Sequence, residues 1–150
     1  MKHKTTFIHN KKAFFSYEVQ ETLEAGIELF GHEVKSVKEG SGSLEGAYVQ
    51  IKGGEAFLAN ARISPFQQLN TPKGYDQNRP RKLLLHKKEI SKLSHIEAGK
   101  GQTIIPISLY NSAGRVKVEI AVAKGKKLHD KRESIKKRET AREIRREMKR

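Results

Sequence analysis

The last quarter of the chain, AKGKKLHDKRESIKKRETAREIRREMKR from Ala123 to Arg150, limits most strongly what the whole can fold into. From Lys124 onward it holds 13 Lys or Arg against 5 Asp or Glu, more than half of the chain's net charge of +14. Its only large apolar residues are Leu128, Ile135, Ile144 and Met148. That surface is too small to offset the entropy of ordering the segment, so alone it is expected to be disordered or nascent helix. It has no Pro, however, and Glu139, Glu143 and Glu147 recur every four residues beside Arg138, Arg142 and Arg146. A helix would gather these charges into neighbouring acidic and basic ridges. Such a run is commonly a solvated helix, yet its basic excess favours a polyanion partner that orders it on binding.

The core must therefore lie in the first 123 residues, and at 35% hydrophobic residues it is modest. There is no Cys, which excludes disulfides and thiolate metal sites. MKHKTTFIHNKKA at the N-terminus lacks the apolar stretch of a signal peptide, and no 18-residue apolar run occurs. A soluble, cytoplasmic protein is expected. The sequence pI of about 10.0 points to nucleic acid or an anionic membrane surface.

Residues 1–12 read as a flexible basic N-terminus. Phe15, Tyr17 and Val19 alternate with polar residues as a half-buried strand, Glu24-Ala25-Gly26 reads as a turn, and Ile27 and Leu29 begin a second strand. His32 to Glu39 reads as a short helix with Val34 and Val37 inward. Two strands flank Gly53-Gly54, a hairpin dipeptide. A polar loop runs to Arg81, Leu83-Leu84-Leu85 is a short apolar run, and His86 to Ala98 reads as a helix. Thr103–Tyr110 and Arg115–Ala123 form the clearest hairpin. The expectation is a mainly β body, residues 13–123, followed by the basic tail, 124–150. A closed six-stranded barrel of the oligonucleotide-binding type with two or three short helices fits the pattern, because closure removes edge strands. A two-layer α+β sheet fits it as well.

Little supports catalysis. The six His lack metal-site spacing, Gly40-x-Gly42-x-x-x-Gly46 misses the dinucleotide fingerprint, and no phosphate-loop or nucleophile-elbow pattern occurs. Glu33 beside His32 reads as a surface or polar contact. No catalytic residue, metal or cofactor is assigned. The basic groups say more: Lys11-Lys12, Lys35 with Lys38, Arg79-Pro80-Arg81-Lys82, Lys87-Lys88 and Lys124-Lys126-Lys127 fall near element ends, where they can converge on a phosphate track. Singly each is an ordinary solvated charge. Tyr17, Phe66, Tyr75 and Tyr110 can stack on unpaired bases, while Phe15, Phe30 and Phe57 read as core.

An ordered set of motifs goes further. Asn10-Lys11-Lys12-Ala13, Glu24-Ala25-Gly26-Ile27, Gly31-x-Glu33-Val34-Lys35-Ser36, Ile63-Ser64-Pro65, Arg81-Lys82-Leu83-Leu84-Leu85-His86, Leu109-Tyr110 and the run from Ala123 to Arg132 resemble the SsrA-binding protein (small protein B) family. Asp76-Gln77 stands where that family usually has Asp-Pro. The resemblance implies an oligonucleotide-binding-type barrel, without enzymatic activity. Such a barrel binds the tRNA-like domain of transfer-messenger RNA and carries it to stalled ribosomes for trans-translation. It further implies RNA contacts at Asn10, Lys11, Tyr17, Glu24, Lys35 and Leu84, to which the basic loop adds Arg81. The tail, helical when bound, would occupy the decoding centre and the empty messenger channel. Gly125, Lys126 and Lys127 would form its flexible root, His129 a group stacking near decoding bases, and Asp130, Lys131 and Arg132 the start of the channel segment. A monomer without membrane contact is expected. The alternative is a generic structured-RNA or ribosome-associated barrel; a membrane-surface protein and an acetyl- or nucleotidyl-transfer enzyme rank below it.

Overall fold

A computed structural model describes residues 5–67 and 71–126. The elements are β1 (Thr5–His9), α1 (Ala13–Ser16), β2 (Tyr17–Ile27), α2 (Gly31–Lys38), β3 (Gly42–Ser43), β4 (Tyr48–Lys52), β5 (Glu55–Ala59), β6 (Arg62–Ile63), β7 (Arg81–Leu84), α3 (Lys87–Ala98), β8 (Thr103–Ser112) and β9 (Arg115–Gly125). Seven strands form one antiparallel sheet in the order β1-β8-β9-β2-β7-β5-β4, and β3 pairs with β6. The protein is mainly β with few helices, as the patterning implies. Among the described residues no hydrogen-bonded ladder joins the end strands β1 and β4.

The sheet has seven strands rather than six: the two expected between Phe15 and Leu29 are the single strand β2, while Arg81–Leu84 and Thr5–His9, the latter not a loose terminus, each add one. Ile8 is buried in the main core and the strand pairs with β8, which outweighs its polar neighbours. At the other end β9 runs to Gly125, two residues past the expected boundary. The free edge of β4 is covered from α3, where Glu97 Oε2 accepts from the Ile51 N–H at 2.7 Å.

β2 corrects a second reading. Glu24-Ala25-Gly26 is not a turn: Ala25 is buried and pairs with Val118, and the strand continues to Ile27. Gly26 pairs with Lys117 on one side and Leu84 on the other. A Cβ placed there would stand 3.1 Å from the Leu84 Cβ, so close strand approach, not turn chemistry, calls for glycine.

The two hairpins follow their turn residues. Gly53 and Gly54 both have positive φ, the backbone that a two-residue hairpin loop demands, and Lys52 pairs with Glu55 across them. Ala113 and Gly114 do the same between Ser112 and Arg115, a tighter turn than the four residues Asn111–Gly114. β8 is apolar almost throughout because both of its faces are covered. Ile104 and Leu109 join the main core with Leu58, Leu83, Leu93 and Ile120. Ile105 and Ile107 join a second cluster with Ala13, Ala121 and Ala123. Register shifts between Pro106 and Ser108, a bulge that accommodates the proline's missing N–H.

Candidate nucleic-acid interface

The largest buried polar assembly is structural. Glu33, in the first turn of α2, is fully buried, and so is Arg81 at the start of β7. Arg81 Nη2 and Nε meet Glu33 Oε2 at 2.6 and 2.9 Å. Arg81 Nη1 donates to Ala61 O at 2.7 Å and Arg79 O at 3.2 Å, and Nη2 to the Tyr75 hydroxyl and Gln77 O at 3.0 Å each. Every guanidinium nitrogen therefore faces an acceptor inside the protein. Arg79 adds an ion pair to Glu33 and lays its guanidinium 3.9 Å over the Phe30 ring. The Tyr75 hydroxyl donates to Glu33 at 2.7 Å, and the Phe30 N–H at 2.8 Å.

Burial alone would raise the Glu33 carboxyl, but the bonds from Arg79, Phe30, Tyr75 and Arg81 outweigh it and hold the group at about 2. Burial and the Glu33 carboxylate push the Tyr75 hydroxyl up to about 12. Three expectations change here. Glu33, read as a surface or polar contact, is a polar contact in the core and not on the surface. Arg81 has no donor left for a phosphate, since a carboxylate 48 residues away in sequence claims it. Phe30, expected in the core, is 52% exposed, with Arg79 over one face of its ring and the His32 ring 5.7 Å away.

The remaining candidate residues fall into two grooves, with Lys11 beside the second and Lys35 apart from both. The first groove, about 620 Å³, contains Glu24 and Leu84 with Lys82, Lys87 and Lys117 around them. Leu84 is 52% exposed because β7 alternates, with Leu83 in the core and Leu84 outward. The Glu24 carboxylate takes a hydrogen bond from the Tyr110 hydroxyl through Oε2, while Lys117 Nζ stands 2.9 Å from Oε1. Burial and this carboxylate push the Tyr110 hydroxyl above the ordinary tyrosine range. Tyr110, expected as a stacking ring, is instead 2% exposed and orients Glu24.

The second groove, about 550 Å³, brings Asn10 and Tyr17 together with Gly125 and Lys126. Tyr17 pairs with Gly125 across β2 and β9, and the Lys126 N–H donates to Ser16 O at 3.0 Å. Asn10 spends its side-chain N–H inward on Pro106 O at 2.9 Å. Exposed Tyr48 also lines this groove. Lys11 borders a smaller depression of about 290 Å³ beside Lys12 and Glu45. Lys35 sits on α2 with its ammonium 5.6 Å from the centre of the Phe66 ring. Lys127, His129, Asp130, Lys131 and Arg132 lie outside the described residues.

Lys117 was not singled out in the sequence, although its alternation with Val116 and Val118 puts it on the outward face. Only the pairing Gly26↔Lys117 reveals that it lies beside Glu24's strand. Among the described residues no group of three or more His, Asp or Glu is placed to hold a metal, and no helix is long and apolar enough to cross a membrane.

Comparison with known proteins gives one consistent result. The family described as "SmpB protein" matches residues 7–150. The SsrA-binding protein of Caldicellulosiruptor bescii is 51% identical over 140 residues, 93% of this chain and 88% of that protein. That of Chloroflexus aurantiacus is 44% identical over 149 residues, 99% of this chain and 93% of that protein. A solved chain described under "tmRNA-SmpB: a journey to the center of the bacterial ribosome" is 38% identical, with a TM-score of 0.68, covering 85% of this chain and 92% of that one. The ordered motifs, the sheet that carries them and these matches agree: the protein belongs to the SmpB family of SsrA-binding proteins.

Proposed function

We propose that this protein binds the tRNA-like domain of transfer-messenger RNA and delivers it to stalled ribosomes, so that the trapped nascent peptide is tagged and the ribosome freed. The relatives are named for binding SsrA, and the similar solved chain is described with transfer-messenger RNA and the bacterial ribosome. One observation on this chain carries the reading. An acidic side chain, Glu24, is held by Tyr110 and Lys117 beside an exposed Leu84 within a lysine-rimmed groove. A purely electrostatic RNA binder gains nothing from a carboxylate there. A shape-specific one does, because a fixed carboxylate accepts from exocyclic amines and 2′-hydroxyls while lysines meet phosphates.

In this reading the sheet recognises the RNA and residues 124–150 engage the ribosome. Arg81 is absent from the RNA contacts, and Asn10 and Tyr17 belong with the tail root rather than with Glu24. The sheet is also read as a barrel of the oligonucleotide-binding type. The close approach of β4 to β8, neighbours in space though not in the ladder order, supports closure. No catalytic step is required of the protein.

Footprinting on transfer-messenger RNA and on bulk tRNA tests the reading. Protection confined to the tRNA-like domain is expected. Equal protection of both RNAs would favour the generic structured-RNA barrel instead.

A further inference from the structure

Leu84 has a second side. Beyond it lies another groove, about 340 Å³, that shares Gly26, Leu84 and Lys117 with the first but is otherwise built from different residues. Leu29, Val34 and Val116 form its apolar floor, and Lys38 and Arg115 stand at its rim. Leu29 and Val116 are packed against the main core, yet each is only half-buried. Lys38, in the last turn of α2, and Arg115, just after the β8–β9 turn, are exposed. The volume falls within the roughly 300–1,000 Å³ of ligand clefts. No carboxylate lines it, whereas the first groove has Glu24, Glu55 and Glu89.

We propose that this groove receives one unstacked nucleotide of the bound RNA, its base on Leu29, Val34 and Val116 and its phosphate between Lys38 and Arg115. Leu84 then acts as a wedge between two successive recognition positions. On the Glu24 side a base or ribose is read by hydrogen bonding. On the far side a base is accepted through apolar contact and charge alone. Charge complementarity decides the occupant: an apolar floor alone would suit a hydrophobic peptide side chain, but a rim with cations and no carboxylate suits a nucleotide's phosphate. Bases splayed from single-stranded loops are what such pockets take in RNA recognition. The inference rests on the function proposed above and adds to it a second base position, with a different chemistry of recognition.

The test uses the full chain and a transcribed tRNA-like domain RNA. Short-wavelength ultraviolet cross-linking followed by peptide mapping should yield adducts in the segments 27–38 or 114–116 as well as in 82–90. Val34→Trp, which fills the groove, should weaken binding about tenfold, the order expected for one lost apolar ring contact. Lys38→Ala and Arg115→Ala should each flatten the salt dependence by about one phosphate contact at most. Adducts confined to 82–90, with the salt slope unchanged in both cation variants, would overturn the second position and leave the proposed function standing. That outcome decides the matter even if Val34→Trp fails to fold. Failure of the unaltered protein to bind this RNA would overturn the functional reading itself.

Discussion

Gly26 and Leu84 lie directly opposite one another on β2 and β7, and the absent side chain of one shapes the exposure of the other. A Cβ at Gly26 would approach the Leu84 Cβ and Cδ1 to 3.1 and 3.3 Å. Leu84 therefore rests on bare backbone and projects between the two grooves that flank it. Two residues that sequence patterning would assign to a turn and to the core together separate the two grooves proposed to bind RNA.

Gly26→Ala tests that geometry. Leu84 is half-exposed and free to shift by a few tenths of an ångström, so the melting temperature should change little. RNA affinity should fall severalfold because the wedge is re-aimed. Unchanged affinity in a titration of the tRNA-like domain would show that the position of Leu84 is not critical.

Tyr110→Phe isolates the orientation of Glu24. The ring packing survives, but the hydroxyl that donates to Glu24 Oε2 is lost. The loss should cost about 1–2 kcal/mol in chemical denaturation. RNA affinity should fall too, and combining Tyr110→Phe with Glu24→Gln should add little to the effect of Glu24→Gln alone. Additive losses in that double-mutant cycle would separate the two residues functionally.

Glu33 predicts a pH profile for stability. Its folded-state value near 2 lies below the ordinary 4.5, so its contribution is fully present above about pH 5 and is lost as pH falls from there toward 2. Glu33→Gln should flatten that acid limb while lowering stability at neutral pH by about 3–5 kcal/mol, because Arg81 stays buried without its counter-charge. Arg81→Ala should likewise destabilise the fold, through the unpaired Glu33, rather than remove a phosphate contact. Urea melts between pH 3 and 7 would read both effects.

For the tail, deletion after Asp130 should leave transfer-messenger RNA binding intact and abolish peptide tagging on stalled ribosomes. Twenty helical residues from Lys131 would span about 30 Å, well beyond one codon. Arg142→Pro breaks such a helix at a cost of about 3 kcal/mol while keeping most of the charge, and should impair tagging as the deletion does. Full tagging by the proline variant would show that charge suffices.

What the sequence made legible was local. Gly53-Gly54, the Val116–Val122 alternation and the helix carrying Ile90 and Leu93 each announce themselves within a dozen residues, and each is found. Long-range partners were not legible. Nothing near Arg81 indicates a buried carboxylate 48 residues upstream, so it read as an RNA contact on the phosphate track. Nothing near Tyr110 indicates Glu24, 86 residues away, so its ring read as a stacking platform. Gly26 misled for a related reason: glycine marks turns and close strand crossings alike, and only the position of β7 distinguishes them. The strand at Thr5–His9 was hidden because only Phe7 and Ile8, two adjacent residues with no alternating pattern, carry its packing. Glu24 and Leu84 were named only through the family motifs, yet they share one groove, whereas Asn10 and Tyr17 fall in another.

Glu24, held by Tyr110 and Lys117, is proposed to be a specific acceptor for RNA rather than an incidental negative charge. The most direct measurement is the affinity of Glu24→Arg for the tRNA-like domain of transfer-messenger RNA, by fluorescence anisotropy across a range of salt concentrations. A specific acceptor predicts weaker binding at every salt concentration, by about tenfold or more, despite the added positive charge. Tighter binding with a steeper salt dependence, the signature of plain counterion release, would contradict it.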